Sequence, residues 1–107
     1  MAKILLVNFE EEQAARLAAF LHIERHEICS EDSSLALGQF IRHIAEFDLV
    51  IVDASHREQF VRDVVSGIAT QRERNGPRPG VLCICRTYRG PRFELDLERK
   101  GARVVYV

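Results

Sequence analysis

Phe47-Asp48-Leu49-Val50-Ile51-Val52-Asp53 is the stretch that decides how this chain is read. A run of apolar, mostly β-branched residues is the signature of a buried strand, and here it delivers a carboxylate to the point where the strand ends. In an open α/β sheet, sites gather at the carboxyl ends of the strands, near the place where strand order reverses. Asp53 is therefore the residue whose position alone suggests chemistry.

Working outward, short apolar runs at 3–7, 81–85 and 103–107 read as further buried strands, and His26-Glu27-Ile28-Cys29 reads as a weaker edge strand. Between them lie helical stripes. Ala14, Leu17, Ala18 and Leu21 fall at i, i+3, i+4 and i+7, as do Leu37, Phe40, Ile41 and Ile44, and again Val61, Val64, Val65 and Ile68. Asn8 followed by Glu11 resembles a capping box for the first helix, and Ser33 or Ser34 is placed to cap the second. The stretch 71–80 is expected to be a loop from its Gly, Pro and charge content. Segment 91–100 stays open between helix and strand, because Phe93, Leu95 and Leu97 alternate with acids at period two while Pro91 can start either element. The order β-α-β-α-β-α-β-(α)-β implies a right-handed, doubly wound parallel sheet.

With 107 residues and 12.2 kDa, the chain is expected to be one domain, 1–107. A net charge of −1 gives no global pull toward nucleic acid or membrane. The N-terminal apolar run is only four residues long, Ile4 to Val7, too short for a signal peptide or a membrane span, so a cytoplasmic setting is expected. Cys29, Cys83 and Cys85 are odd in number and sit in strand-like runs, which argues for reduced, buried thiols.

Three pieces together resemble the response-regulator receiver domain, the flavodoxin-like phosphoacceptor module of two-component signalling, across residues 3 to 107. Lys3 to Val7 resembles the family's first strand. Phe47 to Asp53 resembles its third strand, "PDLVILD", with Asp53 in the phosphoacceptor place. Lys100-Gly101-Ala102 resembles the family's Gly-Ala before the fifth strand. The resemblance implies a five-stranded parallel sheet of order 2-1-3-4-5, here C-terminally truncated so that the family's fifth helix is absent.

The departures bear on function. Two acids after the first strand hold a divalent cation in the family, because a hard cation takes carboxylate oxygens. Asn8 and Phe9 stand there instead, with Glu10 one place further on. The hydroxyl that ends the family's fourth strand corresponds to Cys85, with Thr87 two residues later, and the chain ends at Val107 before the family's lysine. Arg57, Arg86 and Arg89 fall on the same rim as Asp53 and are candidates to neutralise it by charge-assisted bonds.

Other motifs carry less. Cys83 and Cys85 share one strand face without further ligands at metal spacing, and read as buried apolar residues. His56 is the histidine near Asp53, but no catalytic triad, carboxylate pair or phosphate loop can be assembled. Six arginines between 72 and 92 are split by the topology between the two ends of the sheet, so direct nucleic-acid binding is not expected.

The resulting expectation is an atypical, pseudo-receiver domain that binds protein in signal transduction without conventional Mg-dependent phosphotransfer. It is not expected to be an enzyme or to need a metal or cofactor, and its partners are proteins, a second copy among them. Two alternatives stand beside it: a functional phosphoacceptor using Asp53 with Mg, and a small thiol-dependent enzyme or redox protein using Cys85.

Overall fold

Strands and helices alternate as the two periodicities require. The structure, a computed structural model, describes residues 2–31, 41–88 and 90–107. The strands are β1 (Lys3–Val7), β2 (Glu27–Glu31), β3 (Leu49–Asp53), β4 (Gly80–Cys85) and β5 (Ala102–Tyr106); the helices are α1 (Glu11–Ile23), α2 (Glu58–Asn75) and α3 (Pro91–Arg99). Every pairing is parallel, in the order β2-β1-β3-β4-β5. The doubly wound sheet expected from the sequence is the one observed.

Side-chain alternation divides the core in two. On one face Leu5, Val7, Val50, Val52, Val81, Cys83 and Cys85 pack with Val61, Val64, Val65 and Ile68 of α2 and with Phe93 and Leu97 of α3. On the other, Ile4, Leu6 and Ile51 pack against Ala14 of α1, with Leu17, Ala18 and Leu21 closing over them. Burial of these apolar stripes, at about 25 cal/mol per Å², is the main force holding helices to sheet. Among the described residues no helix is long and apolar enough to cross a membrane.

The structure settles the open segment and corrects several local expectations. Residues 91–99 are helical, with Pro91 in the first turn, Phe93 and Leu97 buried one turn apart, and Leu95 left 49% exposed. The helix α2 runs through Asn75, so half of the expected 71–80 loop is helix. Its Arg and Glu residues are good helix formers, and the chain turns only at Gly76, φ 106°. Of the second expected helix, Ile41 is helical and Ile44 begins a 3-10 turn at Ile44–Glu46; Leu37, Phe40, Ser33 and Ser34 lie outside the described residues. Cys29 is half-buried rather than buried, because β2 is an edge strand. The capping box does not form: Glu10 is the N-cap of α1, with no side-chain cap bond.

Candidate functional site

At the carboxyl ends of β1, β3 and β4 the backbone stops pairing and three side chains converge. Asp53 ends β3 with its carboxylate almost wholly buried, 4% exposed. The Ser55 N–H donates to Asp53 Oδ1 at 3.0 Å, a local Asx turn that fixes one carboxylate oxygen. The other oxygen, Oδ2, lies 3.5 Å from His56 Nε2. That ring nitrogen is buried and has no hydrogen-bond partner, so the two atoms are in close contact without an aligned hydrogen bond.

Asn8 explains why the loop holds this shape. It sits at the end of β1 in the left-handed region, φ 69°, where Asn is tolerated better than most residues. From there its buried amide Nδ2 donates to the carbonyl of Asp53 at 2.9 Å and to that of His56 at 3.1 Å. One buried and one part-buried carbonyl need partners, and this need outcompetes the helix cap expected of Asn8. Its Oδ1 in turn accepts from Arg57 Nη1 at 3.4 Å. Arg57 is itself left-handed, φ 56°, at the N-cap of α2, and its guanidinium lies 4.3 Å from the centre of the Phe60 ring.

The remaining expected site residues are dispersed. Phe9 packs into the α1 side of the core, and Glu10 is exposed at the start of α1, where its carbonyl accepts from the Ala14 N–H at 2.8 Å. Cys85 is fully buried, with Sγ 4.0 Å from the Ala54 carbonyl, and Thr87 is exposed in the loop beyond it. The Arg86 side chain is exposed while its N–H donates to Ser55 Oγ at 2.9 Å. Arg89 lies outside the described residues. Ser55, which joins the ends of β3 and β4, is a residue that sequence reasoning missed; its place two after a strand-ending Asp is the signal that marks it.

Solved structures share this arrangement of elements. The receiver domain of a histidine kinase from Arabidopsis thaliana matches with a TM-score of 0.78 at 13% identity, over 98% of this chain and 79% of that one. The signal receiver domain of a two-component histidine kinase from Clostridium thermocellum matches with a TM-score of 0.74 at 17% identity, over 99% and 84% of the two chains. A pilus assembly-related protein from Burkholderia pseudomallei gives 0.72 at 18% identity, over 99% and 78%.

The chain has the receiver fold.

No protein-family model matches its sequence, and no curated protein does. In the receiver fold this rim is where a divalent cation is implied beside the phosphoacceptor. The donor set here does not fit one. Asn8 turns its amide hydrogens to backbone carbonyls, Phe9 is in the core, and Asp53 supplies a single carboxylate, where a hard cation takes six or so oxygen ligands. Among the described residues no three His, Cys, Asp or Glu side chains gather as a metal site. The receiver fold's hydroxyl position is filled by a thiol directed at a carbonyl.

Proposed function

We propose that this chain is a receiver-type signalling module that works by binding protein and carries out no conventional phosphotransfer at Asp53. The receiver fold supports the signalling role, and the chemistry of the rim supports the rest. The observation that carries the reading is the Asn8 amide, which bridges the Asp53 and His56 carbonyls at 2.9 and 3.1 Å in the place of a metal-binding acid. The Asn8 amide on the loop carbonyls and the Arg57 guanidinium on Asn8 Oδ1 tie the rim together, so that the loop is fixed rather than switched. The work falls to surface recognition in the cytoplasm, with a second copy of the chain as the first partner.

Beryllofluoride, a phosphoryl analogue, tests this reading when added with Mg²⁺ to ¹⁵N-labelled protein. The amide resonances of Ser55, His56 and Arg86 are expected to stay in place. A saturable shift confined to those amides, and lost in Asp53→Ala, contradicts the proposal.

A further inference from the structure

We draw no further inference here: the strongest candidate, the exposed surface patch where the Tyr88 and Tyr106 rings meet 5.8 Å apart beyond the carboxyl ends of β4 and β5, carries nothing because nothing in the structure shows what covers it.

Discussion

His56 holds Nε2 at 3.5 Å from Asp53 Oδ2, and the loop that carries it is tied to β1 by Asn8. The conspicuous carboxylate of the sequence is thus met from inside the fold, by a residue three places along its own chain. A double-mutant cycle of Asp53→Asn and His56→Ala, read by chemical denaturation, measures the pairing. Half-exposure of the imidazole keeps it modest, at about 0.5 kcal/mol of coupling. Additive single and double variants would show that the contact carries no energy.

Asn8 is the tie, and its amide hydrogens are what matter. Asn8→Ala removes one buried and one part-buried hydrogen bond and is expected to cost about 2 kcal/mol. Asn8→Asp, which restores an acid of the receiver pattern, turns a carboxylate toward two carbonyl oxygens and costs more, about 3 kcal/mol at neutral pH. That carboxylate is disfavoured in the folded state, so the extra penalty vanishes in acid and grows as pH rises through the unfolded-state value. Urea titrations at two pH values check the order; an Asn8→Asp protein as stable as the unaltered one contradicts it.

Burial pushes the Cys83 thiol up to about 12, so its thiolate is scarce at neutral pH. Alkylation of the folded chain is expected to modify half-buried Cys29 and leave Cys83 untouched until denaturant is added. Cys83→Ser buries a hydroxyl in the α2 side of the core and should cost about 1–3 kcal/mol. Mass mapping of the labelled peptides checks the reactivity, and early labelling of Cys83 counts against the packing described.

Asp48 anchors the amino end of the sheet. The Lys3 N–H, donating at 2.8 Å, and the Arg78 guanidinium hold its carboxyl below the usual range. A carboxyl lowered on folding adds stability above its unfolded value and loses it as pH falls through its folded one. The stability curve should therefore drop on acidification below the ordinary Asp range, and Asp48→Asn should flatten that limb. An unchanged acid limb in Asp48→Asn assigns it to other groups.

Much of this architecture is written locally. The strands β1 and β3 follow the apolar runs 3–7 and 49–53 because β-branched residues buried on both faces leave no competing period. The stripe of α2 is equally legible, with Val61, Val64, Val65 and Ile68 all buried. Segment 91–100 was ambiguous because Leu95 mimics strand alternation. Only packing against the sheet, which buries Phe93 and Leu97 and leaves Leu95 outside, makes it a helix. In the candidate site, Asp53 was visible from its place at a strand end. The tie was hidden, because Asn8 meets the Asp53 and His56 carbonyls only across 45 and 48 residues of sequence. Local patterns show capping but not such long-range partners.

Intact-protein mass after incubation with a small acyl-phosphate donor and Mg²⁺ tests the central claim most directly. With Asn8 bonded to backbone carbonyls and His56 set against Asp53, the mass is expected to stay unchanged. A stoichiometric gain of one phosphoryl group, absent in Asp53→Ala, would contradict the account.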